Sequence, residues 1–203
     1  MGQIRPIVKL LPLTSARKAA LIYWKNWLSS STSDQLLDIA LNEIPWRKDF
    51  IKMFGKTILI PRLQNWFSES GQSYTYSKLV LPGLDYPEWM NNLSQDVKIA
   101  TQNDFNGILI NYYRSGSDSM DWHADDEASL GREPAVASVS LGAERIFQLR
   151  HKSTKDRINV PLHHGSLLLM CRGMQEYWQH RIAKVTNLTQ PRISFTFRRL
   201  VTD

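Results

Sequence analysis

From about residue 106 the chain breaks into short runs that are too brief for helices and too apolar for loops. They read "GILINYY", "VASVSLG", "RIFQLRH", "SLLLMC" and "RISFTFRRL". Each is rich in β-branched and aromatic residues and is bounded by turn-forming residues. Such runs pair antiparallel, so the second half predicts a sandwich or barrel whose mouth can receive a small ligand. Helical spacing occurs only earlier. "SDQLLDIALNEI" places Leu36, Leu37, Ile39, Ala40, Leu41 and Ile44 on one stripe, with Ser33 or Asp34 as the N-cap. "PEWMNNLSQDVKIATQ" predicts a second helix with Pro87 in its first turn. "ALIYWKNWL" reads as a strand followed by a loop. The fold class is therefore α+β, with helices leaning on an antiparallel core.

The chain has 203 residues, enough for one domain with a substantial core. Its 42% hydrophobic and 22% charged residues exclude disorder. No apolar run approaches the roughly 20 residues that span a bilayer, so no membrane partner is expected. The N-terminal stretch, broken by prolines and by Arg17 and Lys18, lacks the apolar centre of a signal peptide. A single cysteine, Cys171, permits no intrachain disulfide and suits a reducing compartment. The expected location is the cytoplasm in a bacterium or the nucleus in a eukaryote, and the expected state is a monomer. A net charge of +6 favours an anionic partner such as nucleic acid.

Against that basic background stands "MDWHADDE", residues 120–127, with four carboxylates and a histidine. In extended chain, residues two apart project the same way, so His123 and Asp125 can chelate one ion. Imidazole and carboxylate suit a first-row divalent metal. A third ligand must come from His151, His163, His164 or His180. A solvated acidic loop is the plain alternative for any isolated H-x-D. His151, beside Arg150 and Lys152, is poorly set to bind a cation. His163 and His164 precede Gly165 and read as turn and strand-entry residues, and Cys171 reads as an inert buried thiol. In "RISFTFRR", Arg192, Ser194, Thr196 and Arg198 share one face, while Ile193, Phe195 and Phe197 share the other. Two guanidinium groups on an inward polar face require anions, and their planar forks fit carboxylates. An acidic small molecule beside a metal is the expectation.

The order H-x-D, about fifty residues, H, then R-x5-R resembles the Fe(II)- and 2-oxoglutarate-dependent dioxygenases, and within them the AlkB family of nucleic-acid demethylases. The strings "EIPW", "FGKTILIPR", "LINYY", "HADDE", "ASVSLGAERIFQLRHK", "HGSLLLM", "YWQH" and "PRISFTFR" carry the resemblance over roughly residues 20–200. It implies a double-stranded β-helix (jelly-roll) core with flanking helices and an N-terminal substrate-recognition lid. Residues 1–18 would then be an extension, 19–105 the helices and lid, and 106–203 the jelly-roll. By the same resemblance His123, Asp125 and His180 ligate Fe(II). Arg192 clamps the distal carboxylate of 2-oxoglutarate, Arg198 sits near the metal-bound end, and Asn111, Tyr113 and Thr196 complete the cosubstrate contacts. Ser194 stands where some members carry Asn. O2 is the second cosubstrate.

The implied reaction is repair of alkylated DNA by oxidative demethylation of 1-methyladenine and 3-methylcytosine, releasing formaldehyde, succinate and CO2. A base in a duplex must leave the stack to reach a buried metal. Phe54, with Gly55 and Lys56 in "MFGK", is similar to the hydrophobic finger of duplex-active relatives. Tyr74 and Tyr76 share a face in "YTYS" and form a candidate stacking pair. Glu127 matches the family position that reads the exocyclic amino group, and Asp126 also faces the base in this reading. Asp121 is left to solvent. Lys56, Arg62, Lys152, Lys155, Arg157, Arg181 and Lys184 are candidates for a phosphate path. The alternatives are the same chemistry on RNA or a protein side chain, and a non-enzymatic nucleic-acid-binding protein.

Overall fold

The computed structural model describes residues 5–53, 55–76 and 78–201. In chain order the elements are β1 (Ile7–Pro12), β2 (Lys18–Trp24), α1 (Ser30–Glu43), β3 (Phe50–Met53), β4 (Lys56–Leu59), β5 (Leu63–Ser68), β6 (Tyr74–Tyr76) and β7 (Leu79–Leu81). They continue with α2 (Glu88–Thr101), β8 (Gly107–Tyr113), β9 (Met120–His123), β10 (Val136–Gly142), β11 (Arg145–His151), β12 (Arg157–Leu162) and β13 (Ser166–Met170). The short α3 (Met174–Tyr177), β14 (Trp178–Ile182) and β15 (Arg192–Arg198) complete the order. No helix among the described residues is long and apolar enough to cross a membrane.

A seven-stranded antiparallel sheet runs β1-β2-β13-β10-β15-β8-β5, and a four-stranded one runs β12-β11-β14-β9. This two-sheet arrangement is the jelly-roll core. The alternation along β15 explains the layering. Ile193, Phe195 and Phe197 are fully buried and join Ile108, Ile110, Val139 and Leu169 beneath Ala40 of α1 and Met90, Leu93 and Val97 of α2. Burying each such side chain contributes about 1.5–3 kcal/mol. The opposite face looks toward the smaller sheet, where Tyr23, Phe147, Leu149, Leu168 and Trp178 form a second apolar layer. The polar residues of β15 open into the gap between the sheets, and the site lies there.

Two boundaries differ from the expectation. Helix α1 starts before Ser33 and Asp34: Ser29 is the N-cap, its Oγ accepting from the Thr32 amide at 3.1 Å. Ser33 lies inside the helix and donates back to the Ser29 carbonyl. In a run of hydroxyl residues, the first one placed in extended backbone takes the capping role. Pro87 is the N-cap of α2, one position before the first turn.

The larger sheet draws strands from both sides of residue 106. β2 and β5 come from the segment assigned to helices and lid, and β1 comes from the supposed extension, yet all three are strands of the larger sheet. The reason is edge pairing: β1 hydrogen-bonds to β2 from Ile7↔Tyr23 to Pro12↔Lys18, completing that edge.

Candidate active site

The candidate metal ligands come from one strand pair and the loop that leaves it. His123 ends β9, and the register of β9 with β14 sets it directly opposite His180. Their rings lie 4.2 Å apart between centroids. Asp125 follows two residues after His123, and ligand atoms of His123, Asp125 and His180 all lie within 4.8 Å of one another. His123 Nδ1 is 2.8 Å from the Asp121 carbonyl. A carbonyl only accepts, so Nδ1 carries the proton and Nε2 keeps its lone pair for a metal.

Asp125 divides its oxygens. Oδ1 accepts from Arg198 Nη2 at 2.5 Å, whereas Oδ2 is buried with no hydrogen-bond partner and lies 3.6 Å from His180 Nε2. A buried carboxylate oxygen without a donor is costly unless a cation meets it. Burial lowers the pKa of both imidazoles, His180 to about 3, so both are neutral ligands. Burial alone would raise the Asp125 pKa, but Arg198 and the two imidazoles hold it down to about 2. Two neutral nitrogens and one anionic oxygen are the donor set of a non-haem Fe(II) triad, and the residues fit that ion.

The candidate cosubstrate residues lie on β15 and β8. Arg192, Ser194, Thr196 and Arg198 line a cavity with Asn111 and Tyr113, and this cavity also contains the triad. Strand register makes the pairs: Arg192↔Tyr113, Ser194↔Asn111. Arg192 is 2% exposed, and burial lowers its pKa to about 10. Its guanidinium stacks 5.2 Å from the Tyr113 centroid and Nη2 donates to Ser140 Oγ, but Nε and Nη1 have no partner. Arg198 Nε and Nη1 are likewise unpartnered. Two buried forks with free donors fit the two ends of a dicarboxylate, so the residues fit 2-oxoglutarate.

Other candidates settle differently. Arg62 is buried, not part of a surface phosphate path. Its Nε donates to Asn111 Oδ1 at 2.7 Å and its Nη2 to Tyr76 at 3.2 Å. Tyr74 and Tyr76 stack at 6.0 Å, but they are closed inward. Tyr74 lies between Trp66 and the Arg198 guanidinium, and the Tyr76 hydroxyl donates to Gln64. Both rings face residues of β5. Glu127 is half-buried. Its Oε2 has no partner, and burial raises its pKa against the opposing pull of Arg198. Asp126 is exposed and pairs with Lys152 at 3.3 Å. Gly55, at φ +75°, makes the left-handed turn of the β3–β4 ribbon, and Lys56 is exposed beside it. Phe54 lies outside the described residues. Lys155 donates to the Lys152 carbonyl, and Arg157 and Lys184 are exposed.

The remaining histidines are occupied. His151 Nε2 reaches the Leu13 carbonyl, while Nδ1 accepts from the Ser153 and Thr154 amides. His163 is tied to Tyr23 and Glu144, and His164 to Asp34 and the Gly142 amide. Two contributors escaped the sequence reading. The Asp121 carbonyl orients His123, and Gln175 Oε1 accepts from the Asp125 amide at 3.0 Å while its Nε2 donates to Met170 Sδ. A backbone carbonyl and a lone glutamine leave no pattern to read.

A family model described as the 2OG-Fe(II) oxygenase superfamily matches residues 20–198. Alpha-ketoglutarate-dependent dioxygenase alkB homolog 3 of Homo sapiens is 36% identical over 183 residues, covering 84% of this chain and 63% of that protein. The Mus musculus protein of the same name shows the same figures. DNA oxidative demethylase ALKBH2 of Homo sapiens is 33% identical over 159 residues, covering 74% of this chain and 61% of that protein. The chain thus spans less than two thirds of the length of these relatives. The solved structure of OsALKBH1 has a TM-score of 0.64 at 16% identity, covering 94% of this chain and 100% of that one, and so shares the fold.

Proposed function

The chain belongs to the 2OG-Fe(II) oxygenase superfamily as an AlkB-type member, and from that premise we propose that it is an Fe(II)- and 2-oxoglutarate-dependent dioxygenase that demethylates alkylated DNA. Its substrates in this reading are 1-methyladenine and 3-methylcytosine, and its products are formaldehyde, succinate and CO2. One observation carries the reading. The bare Asp125 Oδ2 sits beside two neutral imidazoles, in the same cavity as an Arg192 fork with two free donors.

Iron with 2-oxoglutarate and O2 supplies the oxidation of a substrate C–H bond, and the chain supplies placement and charge. His123, Asp125 and His180 would hold the ion through two neutral nitrogens and one carboxylate oxygen. Arg192, buried beside Tyr113, would anchor the far carboxylate away from water. Arg198 balances Asp125, so the ligand stays ionised without an unpaired buried charge.

Glu127 gives the substrate reading its chemistry. Methylation at adenine N1 or cytosine N3 makes the base cationic, and a half-buried carboxylate attracts that form. The unpartnered Oε2 can accept from the exocyclic amino group. Once the methyl carbon is hydroxylated, its C–N bond breaks. The electron pair returns to the ring nitrogen, the hydroxyl proton leaves, and formaldehyde departs.

The test is incubation with Fe(II), 2-oxoglutarate, ascorbate and methylated deoxyribo- and ribo-oligonucleotides. Formaldehyde equal to the demethylated base is expected, with the deoxyribo substrates preferred. Consumption of 2-oxoglutarate with no demethylation of any oligonucleotide would overturn the reading.

A further inference from the structure

The smaller sheet has an outer face that the reaction does not use. Phe147, Leu149, His180 and Ile182 point into the molecule, so Gln148, Arg150, Gln179 and Arg181 point outward. Arg150 lies directly opposite Arg157 of β12 in the strand register. Like charges so placed are destabilising unless an anion offsets them. Arg150 and Arg181 both stack on the Trp122 ring, at 4.3 Å and 4.5 Å from its centroid. Gln179 Oε1 accepts from Arg150 Nη2 at 3.0 Å and Gln148 Oε1 from Arg181 Nε at 2.5 Å. Among the described residues no carboxylate pairs with any of the three arginines. Arg150 Nε is buried without a partner.

Surface charges of opposite sign normally intermingle. Here three cations of one sign stand on adjacent strands, two of them held in place by an indole and two amides. The row crosses β12, β11, β14 and β9, a length of about 14 Å at ordinary strand spacing. It ends at Trp122, the chain neighbour of His123, and Arg181 borders the metal-site cavity itself. Trp122, Arg181 and Lys184 also line a cleft of about 530 Å³ that runs past His123. A guanidinium fork held flat against a ring presents its outer N–H edge to a phosphate, and preorganisation lowers the entropy lost on binding.

We propose that Arg157, Arg150 and Arg181, with Trp122 as their support, form a track for the phosphodiester backbone of the strand that delivers a base to the metal site. The proposal rests on the nucleic-acid reading above and deepens it. The track fixes the strand's position without reading sequence, because phosphate contacts carry no base information.

The test measures binding of a single-stranded methylated oligonucleotide and of a methylated trinucleotide across a salt series. Each phosphate contact removed lowers the slope of log K against log salt by about 0.7. Arg150→Gln with Arg157→Gln is therefore expected to reduce the slope by about 1.4 on the longer strand, with a much smaller change on the trinucleotide. Arg157→Gln alone keeps the result interpretable if the double variant folds poorly, because Arg157 is exposed; its expected change is about 0.7. An unchanged slope in a folded variant would overturn the track. So would displacement of the oligonucleotide by polyglutamate at equal charge, which would mark a general polyanion surface. Wild-type protein that binds no oligonucleotide would instead overturn the functional reading itself.

Discussion

Arg198 Nη2 grips Asp125 Oδ1, while the sister oxygen Oδ2 meets no donor. Both residues are almost fully buried, so each depends on the other for charge balance. Removing one partner of such a pair costs about 3–5 kcal/mol, because the survivor is stranded. Asp125→Asn is expected to destabilise the metal-free protein by that amount and to weaken Fe(II) binding. Asp125→Leu combined with Arg198→Met should cost clearly less than the two single changes summed. Urea midpoints of the four proteins decide it, and strictly additive losses would refute the coupling.

Arg192 spends one donor on Ser140 Oγ and keeps Nε and Nη1 free. Charge-assisted hydrogen bonds are worth about 1.5–3 kcal/mol. Arg192→Met should therefore raise the 2-oxoglutarate dissociation constant by about 10- to 100-fold, with Mn(II) affinity nearly unchanged. Calorimetric titration of both ligands measures this. A variant that binds 2-oxoglutarate as tightly as wild type would remove the clamp.

Gln175 accepts from the Asp125 amide, so the role expected of it is positioning. Loss of such outer support typically weakens metal affinity by about 10- to 100-fold. Gln175→Leu should show that drop for Co(II), with an altered Co(II) absorption spectrum, while the urea midpoint moves little. A purely structural glutamine would shift the midpoint and leave the Co(II) spectrum of the loaded protein as in wild type.

Acid should destabilise the metal-free protein before its carboxylates titrate. His180 is held at about 3 in the folded state, against about 6.5 when unfolded. Between these values the unfolded chain binds more protons, so stability falls as pH drops below 6.5. From pH 6.5 to 4.5 this one group accounts for about 2–3 kcal/mol. Asp125, depressed to about 2, adds its loss only below its ordinary value near 4. His180→Gln should flatten the upper part of the urea-midpoint curve, and an unchanged curve would refute the neutral buried imidazole.

The legible parts of this protein were those where one face must be apolar and the other polar. β15 is the clearest case: its alternation specifies both the core residues and the inward arginines. H-x-D was legible for the same reason, since a two-residue spacing places two ligands on one side. The third ligand was not legible from spacing, which left four histidines open; only the resemblance pointed to His180. β1 was missed because Ile7, Val8 and Leu10 are exposed at a sheet edge, so no buried face imposes a period. The contacts of Arg62, Tyr74 and Tyr76 with Asn111, Gln64 and Trp66 leave no mark in the sequence. Those partners lie on other strands, and a single sequence does not display strand pairing.

β15 sits near the middle of the larger sheet, with its polar and apolar side chains in strict alternation. A slip of one residue against β8 or β10 would drive both guanidinium groups into the layer beneath the helices and expose the aromatic rings. The residues that serve the reaction thus also act as a checkpoint during folding. An enzyme of this design should have few half-correct states that persist, because the misaligned sheet loses its oily layer and its chemistry in the same step.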